Sequence, residues 1–306
     1  MNNTNPETTT TLLEKLRNKL GTMIEKIIVH CGGSHVDEIV ATAIAEAILP
    51  KAVPVYRRDP EDSELADANV LVLDVGGVHD PDFRNFDHHQ LDRSAAPACA
   101  FSLLATFLGM DEALSSFYPW YNAWKTIDSK GPFAWAKAAG VNWEAAKPLI
   151  SPVSDATHRM WEKASGDKPV NPELVETLAE IGRDILLGAD EFTAFCIKAD
   201  SENLLQEFNG VKVLITDAWF TAKESQWFAD AYMKARGIQG GVIVSKDDRG
   251  PGRSFFRRQD DPRVDFSKCA GESYTSFAHQ GGFILKTKAL DQGMVCEVMD
   301  KAVLTA

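Results

Sequence analysis

The sequence predicts an α/β protein with two domains, and three patterns support this fold class. A strand, a helix and two more strands follow one another between residues 26 and 77. The region from Pro97 to about Phe208 is mainly helical, and a second α/β unit begins near Asn209. We expect a mainly parallel sheet with a helical extension, followed by a smaller α/β carboxyl-terminal domain. A chain of 306 residues is long for a single hydrophobic core.

The first domain begins with a short β-branched run. KIIVHC (26–31) predicts a strand that ends at the glycines of CGGSH. VDEIVATAIAEAIL has apolar residues at helical spacing, and Pro50 ends this helix. AVPVYRR (52–58) and NVLVLDVGG (69–77) predict two further strands. The last is apolar on both faces until Asp74, which is typical of a strand buried in a parallel sheet.

Three helical segments follow: PACAFSLLATFLG, DEALSSFYPWYNAWKTI and NPELVETLAEIGRDILLGADEFTAFCI. In the second domain GVKVLITD and GGVIVSK predict strands, and KESQWFADAYMKARG predicts a helix that Gly237 stops. The turn-rich DDRGPGR joins the latter strand to SFFRRQ, which indicates a hairpin. We place the domain boundary between 190 and 210. The predicted parts are a polar tail (1–22) leading into a short helix, a first domain (23–200) and a second domain (201–306).

Composition narrows the functional class. The formal net charge of −12 argues against a large generic nucleic-acid surface, which would be basic. A phosphate substrate remains compatible with it, because bound divalent cations supply positive charge locally. The sequence has no apolar run of about 20 residues, no signal-peptide pattern at its start, and no CxxC pair among its cysteines. We therefore expect a cytoplasmic protein that does not interact with membranes.

Most histidines lie at predicted strand ends or in the loops behind them. His30 and His35 flank the loop after the first strand, and NFDHHQ (85–90) follows the third. Imidazole and carboxylate groups are suitable ligands for manganese, iron or zinc. Each short motif alone is also typical of a polar loop, turn or helix cap. Together they predict a metal site, whereas the isolated His158 is interpreted as a surface or packing residue. The candidate ligands are His30, His35, Asp37, Asp74, His88 and Asp128.

Four segments carry a family resemblance: VHCGGSHVDE, LDVGG, FDHHQ and WKTIDSKGP. They look like the amino-terminal motifs of the DHH phosphoesterase superfamily, and most resemble its melanocyte-proliferating-gene (MYG) family. The first motif of MYG-like proteins has histidine where His35 stands, whereas the more usual superfamily motif has aspartate at a slightly shorter spacing. The resemblance covers about residues 26–131 and implies a DHH-type metal-binding catalytic domain.

The resemblance implies two divalent metal ions, commonly manganese, with magnesium, zinc or iron as alternatives. Such a pair activates a bridging water to hydrolyse phosphoesters or phosphoanhydrides. One ion would be held by His30, His35 and Asp74, and the other by Asp37, Asp74, His88 and Asp128. His89 would support the ligands or bind substrate phosphate, and Asp87 would orient its neighbours. Asp74, Asp87, His88 and His89 are thus the predicted catalytic residues.

A weaker resemblance extends into the second domain. SFAHQGGFILKTK is similar to a histidine- and glycine-rich segment of the family's substrate-binding domain. His279 and the backbone amides of Gly281 and Gly282 would then bind a phosphate, although a plain turn is the alternative. Arg253 or Arg257, from GRSFFRRQ, would assist, whereas Arg258 would face the opposite side of the strand from Arg257. Closure of a cleft between the two domains would complete this site.

The MYG resemblance implies a 3′–5′ exonuclease acting on RNA or short oligonucleotides, and a homodimer is a further hypothesis. A phosphohydrolase for a small substrate, such as pyrophosphate or a cyclic dinucleotide, is the nearest alternative. A non-catalytic metal-binding protein is the third hypothesis. The retained set of histidines and aspartates favours an enzyme over that third hypothesis.

Overall fold

The chain divides into two compact units, Met1–Asp190 and Glu191–Ala306. The computed structural model describes residues 6–21, 23–92, 94–146, 152–291 and 293–304. The predicted boundary at 200/201 lies ten residues after this division. One long helix (Pro172–Ser201) contains both positions, so no loop marks the boundary in the sequence. No helix among the described residues is long and apolar enough to span a membrane.

A five-stranded sheet forms the centre of the first unit. Its strands are β1 (Lys26–Val29), β2 (Val55–Arg57), β3 (Val70–Leu73), β4 (His79–Asp80) and β5 (Asn85–Phe86). The spatial order is β2-β1-β3-β5-β4. β1 pairs in parallel with β2 and β3, β3 pairs in parallel with β5, and only the short β4 is antiparallel to its neighbour. The observed fold is therefore of mixed α/β type, and its first sheet is mainly parallel.

Both faces of this sheet are covered. Ile27 and Val29 belong to the large core of the first unit, whereas Ile28 belongs to a smaller cluster with Val70 and Val72. Successive side chains of a strand point to opposite faces, so a strand covered on both sides needs an unbroken apolar run. This is why KIIV and VLVL lack the polar alternation of a half-exposed strand.

Helices make up most of the rest of the first unit. They are α1 (Pro6–Leu20), α2 (Val36–Ile48), α3 (Asp62–Leu65), α4 (Ala100–Leu108), α5 (Asp111–Phe117), α6 (Pro119–Lys130), α7 (Pro132–Ala139), α8 (Trp143–Ala146), α9 (Pro152–Trp161) and α10 (Pro172–Ser201), which continues into the second unit. The segment predicted as one helix from Asp111 is split at Pro119, because proline has no N–H to continue the hydrogen-bond ladder. Gly182 of α10 packs against the Ala43 carbonyl of α2, where a Cβ would collide with the backbone.

The amino-terminal segment is more ordered than a polar tail implies. Helix α1 occupies most of it, and Leu16 and Leu20 are buried in the first core. The pattern LLEKLRNKL is amphipathic, but the preceding run of threonines conceals it in the sequence. Residues 1–5 and 22 of the predicted tail lie outside the described residues.

The second unit contains a six-stranded mixed sheet. Its strands are β6 (Leu205–Phe208), β7 (Val211–Trp219), β8 (Val242–Lys246), β9 (Arg253–Arg257), β10 (Thr275–Ala278) and β11 (Ile284–Thr287), in the order β10-β11-β9-β8-β7-β6. Only β7 and β8 are parallel. The predicted hairpin is confirmed, since β8 and β9 pair in antiparallel register. Helices α11 (Ala229–Ala235) and α12 (Gly293–Ala302) complete this unit.

Candidate metal centre

Strands β1 and β3 bring two predicted ligands to one edge of the first sheet. Their parallel register pairs Val29 with Leu73. The next residues, His30 and Asp74, therefore leave the sheet side by side. Ligands of open α/β sheets gather at the carboxyl ends of the strands, and this edge is such a position.

Asp74 has the most unusual environment in the first unit. It is fully buried, and neither carboxylate oxygen has a hydrogen-bond partner within the described part of the chain. Its φ of 60° lies in the left-handed region, which costs free energy for a residue other than glycine. Buried carboxylates normally accept hydrogen bonds or bind cations, so Asp74 is a candidate cation ligand.

Three overlapping groups of side chains surround Asp74. In each group, one potential ligand atom per residue lies within 4.8 Å of all the others. The groups are His30, His35 and Asp74; Asp37, Asp74, His88 and Asp128; and Asp74, His88 and His89. The structure thus brings together all six residues predicted as metal ligands, and Asp74 belongs to every group.

Asp37 is held in place by the backbone of a neighbouring helix. It is buried in the first turn of α2, and its two oxygens accept hydrogen bonds from the amides of Ala100 (2.8 Å) and Phe101 (2.9 Å) at the start of α4. Burial, followed by repulsion from Asp74 and Asp128, raises the pKa of Asp37 well above its usual range. A bound cation would relieve this repulsion.

His88 lies among three carboxylates. Its Nε2 is 2.9 Å from Asp128 Oδ2, 3.2 Å from Asp74 Oδ1 and 3.6 Å from Asp37 Oδ2. Burial disfavours the protonated form, but the carboxylates of Asp128 and Asp74 outweigh it and raise the pKa of His88 to about 10. None of the three contacts has hydrogen-bond geometry. This is the arrangement expected of ligands that point toward a common centre.

The two histidines of the first loop complete the other side of the cluster. The rings of His30 and His35 are stacked with centroids 5.3 Å apart, and His35 Nδ1 lies 3.6 Å from Asp128 Oδ1. Burial lowers the pKa of His30, which favours the neutral, metal-binding form of its imidazole. The donor set of imidazoles and carboxylates therefore fits divalent transition-metal ions.

Asp87 and His89 form a pair beside the cluster. Asp87 is buried and accepts hydrogen bonds from the amides of Gly77 (2.6 Å) and His89 (3.0 Å). Its Oδ1 also lies 2.7 Å from His89 Nδ1. Burial alone would raise the pKa of Asp87, but these hydrogen bonds outweigh it and lower the pKa. The His89 side chain is 50% exposed, in contrast to the buried His88.

Three buried residues near His30 were missed at the sequence level. Glu38 lies beside His30, and it also contacts Arg57 and Trp161. Burial raises the pKa of Glu38 to about 8, although Arg57 opposes this shift. The acidic pair Asp37–Glu38 at the start of a helix was a usable signal, but Trp161 is distant in sequence and gave none.

His158 also has closer contacts than the sequence suggests. Its Nδ1 lies 2.7 Å from the Ser34 hydroxyl, and Glu162 accepts hydrogen bonds from the Ser34 amide (2.8 Å) and hydroxyl (3.0 Å). Ser34 is in the loop between His30 and His35. His158, which the sequence suggested was a surface or packing residue, therefore packs directly against this loop.

The predicted phosphate-binding turn of the second unit is bonded internally. The Gly281 amide donates to His279 Nδ1 (3.0 Å), and the Gly282 amide donates to the His279 carbonyl (2.9 Å). Both amides are therefore engaged within the turn, so phosphate binding by Gly281 and Gly282, which stays a prediction, would require these two hydrogen bonds to open. Because Nδ1 accepts a hydrogen bond, the neutral His279 ring carries its proton on Nε2.

The arginines in and directly after β9 also form hydrogen bonds within the second unit. Arg257 donates to the carbonyls of Val264 (3.0 Å) and Gly281 (3.3 Å), which ties the strand to the turn. Arg258 is buried and donates to the carbonyls of Ile238 and Gly240. Arg253 is buried too. Its guanidinium donates to the Thr216 carbonyl and to the Asp217 carboxylate, each at 3.4 Å, and its Nε has no partner among the described residues. Arg257 Nε and Arg258 Nη2 also lack partners among the described residues, so each of the three arginines has one unsatisfied nitrogen there.

A family model matches part of the chain. Residues 26–101 match MYG1_exonuc, an uncharacterised protein family (UPF0160). This match confirms the resemblance found in the sequence for the first three of its four motifs. The fourth motif, which contains Asp128, lies beyond the matched residues. No curated protein sequence matches the chain.

Several solved structures align with most of the chain at low similarity. RecJ in complex with Mg²⁺ from Thermus thermophilus is 17% identical, with 96% of this chain and 51% of RecJ covered and a TM-score of 0.28. The pGpG-specific phosphodiesterase PggH from Vibrio cholerae is 12% identical, with 91% and 100% covered and a TM-score of 0.27. An exopolyphosphatase-related protein from Bacteroides fragilis is 9% identical, with 95% of each chain covered and a TM-score of 0.27. The chain spans about half the length of the RecJ chain. TM-scores this low support no inference about activity.

Proposed function

We propose that this chain, whose residues 26–101 match the MYG1_exonuc family, is a metal-dependent phosphoesterase that hydrolyses phosphodiester bonds. The substrate class that fits best is RNA or short oligonucleotides, degraded from the 3′ end. One observation carries the proposal. The two oxygens of Asp74 are buried without hydrogen-bond partners in the described structure, and Asp74 belongs to all three candidate ligand groups.

The proposed cofactors are two divalent metal ions, with manganese as the first choice. When bound, such ions supply Lewis acidity and positive charge for the hydrolysis of phosphate esters. Asp74 would be shared between the two positions. The proposed ligands are His30, His35 and Asp74 for one ion, and Asp37, Asp74, His88 and Asp128 for the other.

The protein holds several of these groups in position by itself. The amides of Ala100 and Phe101 orient the Asp37 carboxylate. Asp87 holds the His89 ring through Nδ1, so Nε2 is the ring atom that Asp87 leaves free. We assign His89 to contact the substrate phosphate, because its ring is half exposed beside the buried ligands. His88, which is buried among carboxylates, is assigned to metal binding.

The charge of the chain favours a short substrate. A net charge of −12 would repel a long nucleic acid bound along its backbone, whereas a terminal phosphodiester needs positive charge only near the metal ions. The same argument supports a small-substrate phosphohydrolase as the second candidate, acting on pyrophosphate or a cyclic dinucleotide.

A substrate panel with Mn²⁺ tests the proposal. We expect 5′-labelled RNA to yield a ladder of progressively shorter labelled fragments, and we expect Asp74→Ala to abolish it. Cleavage confined to pyrophosphate or a dinucleotide would favour the small-substrate hydrolase. Tight Mn²⁺ binding without hydrolysis of any of these substrates would overturn the enzyme proposal in favour of a metal-binding protein.

A further inference from the structure

Two buried polar atoms near the candidate metal centre face each other without a partner. His30 Nδ1 and Glu38 Oε2 are 3.5 Å apart, and neither makes a hydrogen bond to any described residue. A buried polar atom without a partner is unfavourable, because it has given up its hydrogen bonds to water without replacing them. A small shift of the His30 ring would satisfy both atoms at once if Nδ1 carries the ring proton.

The carboxylate of Glu38 is held from its other side. Its Oε1 accepts a 2.7 Å hydrogen bond from Trp161 Nε1, and Arg57 Nη2 lies 3.5 Å away. Glu38, Arg57 and Trp161 are all buried. Arg57 also donates to the Gly32 carbonyl at 2.8 Å, so it connects Glu38 to the loop that carries the histidines. Trp161 donates to Oε1 and Arg57 forms an ion pair with it, which leaves Oε2 to face His30.

We infer that Glu38 is a positioning residue that accepts the Nδ1–H of His30 and thereby leaves Nε2 as the metal-binding atom. This inference rests on the proposed function, since it concerns the same metal site. Metal-binding histidines commonly donate their other ring N–H to a carboxylate, which fixes both the tautomer and the ring orientation. The Arg57 and Trp161 contacts keep the Glu38 carboxylate in place for this task.

Helix α9 takes part in the same support. Trp161 ends this helix and holds Glu38, while His158 contacts the Ser34 hydroxyl in the loop between His30 and His35. Glu162, the residue after the helix, binds the Ser34 amide and hydroxyl. The end of α9 therefore contacts Ser34 in the ligand loop and Glu38 in α2. It lies outside the residues that match the family model.

Glu38→Gln is the most direct test, because it keeps the size of the side chain. The donors Trp161 Nε1 and Arg57 Nη2 would select the amide oxygen of glutamine, so its NH₂ group would face His30. That group donates a hydrogen bond and would favour the opposite His30 tautomer, with the proton on Nε2. We expect Mn²⁺ affinity, measured by calorimetry on protein freed of metal, to fall about 10- to 100-fold.

The His30 tautomer provides a readout that is independent of activity. In ¹⁵N-histidine-labelled, metal-free protein, at a pH above the value of about 8 to which burial raises the pKa of Glu38, we expect Nδ1–H in the wild type and Nε2–H in Glu38→Gln, with the signal assigned through His30→Gln. Trp161→Phe, which removes one donor to Glu38 but keeps an aromatic ring, should weaken Mn²⁺ binding less. It also serves as the test if Glu38→Gln does not fold.

Glu46→Gln is the matched control. Glu46 is another buried carboxylate of α2, and the only hydrogen bonds that it accepts from described residues come from the Val53 amide. It should bind Mn²⁺ like the wild type. The inference is overturned if Glu38→Gln retains both wild-type Mn²⁺ affinity and the wild-type tautomer while Asp74→Ala loses binding. If Asp74→Ala also binds Mn²⁺ normally, the metal centre itself, and with it the proposed function, is wrong.

Discussion

Two regions are predicted to act on phosphate: the loops at the carboxyl ends of β1 and β3, and the turn between β10 and β11. They differ in how many of their polar groups already have hydrogen-bond partners. Around Asp74, carboxylate and imidazole atoms converge without hydrogen-bond partners in the described structure. Around His279, the amides of Gly281 and Gly282 bond within the turn. The difference is that the buried groups around Asp74 still have hydrogen-bonding capacity for a ligand, whereas the amides of the exposed turn are already used by the fold.

The largest expected effect follows from replacing the shared carboxylate. Asp74→Asn keeps the shape and tolerates the positive φ, but it removes a charge that both proposed metal positions use. We expect Mn²⁺ affinity and phosphodiesterase rate to fall more than the ~100-fold typical of a supporting residue. Calorimetry and the RNA assay measure this. If Asp74→Asn bound Mn²⁺ with wild-type affinity, the unpartnered groups around Asp74 would not form the metal site, and this difference from the His279 turn would have no functional meaning.

Metal binding should also stabilise the first unit. A ligand that binds only the folded state adds about 2.7 kcal/mol at 100 times its Kd. We expect Mn²⁺ to raise the midpoint of thermal unfolding of the wild type and a chelator to reverse this. His88→Ala should show a much smaller shift, while His279→Ala should respond like the wild type. An equal response of all three proteins would mean that the ion binds elsewhere.

A buried carboxylate outside both regions gives a pH-dependent effect. Burial raises the pKa of Glu46 to about 7, so the folded state binds its proton more tightly than the unfolded state. The stabilisation is complete below about pH 4.3, the ordinary glutamate value, and is lost as the pH rises to about 7. We expect Glu46→Gln to abolish a stability loss of about 3–4 kcal/mol between pH 4 and pH 8, because the pKa of Glu46 rises from about 4.3 to about 7 on folding and each pKa unit corresponds to ~1.4 kcal/mol. Urea unfolding of metal-free protein measures it.

The control for this experiment is Glu202→Gln, because Glu202 is exposed. It should leave the pH dependence of unfolding as in the wild type. If Glu46→Gln behaves in the same way as Glu202→Gln, burial does not perturb Glu46 and its carboxylate reaches water in solution.

The smallest expected effect belongs to the turn of the second unit. If His279 Nε2 donates one hydrogen bond to substrate phosphate, His279→Ala should raise KM about tenfold, which corresponds to ~1.4 kcal/mol, and leave Mn²⁺ affinity unchanged. The neighbouring Gln280→Ala, at an exposed position of the same turn, is the control. Identical KM values for both variants would mean that the turn has a purely structural role.

Much of the candidate site is predictable from the sequence. Apolar runs that end in His30 and Asp74 predict buried parallel strands, and the ends of such strands meet at one edge. The six ligand candidates follow from that geometry and from the chemistry of imidazole and carboxylate groups. The family match over residues 26–101 agrees with the motifs that the sequence displays there.

Other features depend on contacts between distant residues, which local patterns do not encode. Trp161 meets Glu38 across 123 positions, and His158 meets Ser34 across 124. Whether the amides after His279 are free depends on how the turn folds back on its own ring. The sequence predicts a short helix after a polar tail, but only the structure shows that this helix begins at Pro6 and that Leu16 and Leu20 pack in the core.

The sequence by itself determined which side chains are candidates for binding a cation and that His30 and Asp74 follow the ends of strands, because strand periodicity and side-chain chemistry are local properties. Only the tertiary structure decided which of these side chains and their polar neighbours have hydrogen-bond partners. Asp74 has no hydrogen-bond partner in the described structure, whereas Glu38 has one oxygen held by Trp161 and the other facing His30. Burial and hydrogen-bond partners arise from packing between distant segments, and they determine whether a polar side chain serves the fold or binds a ligand.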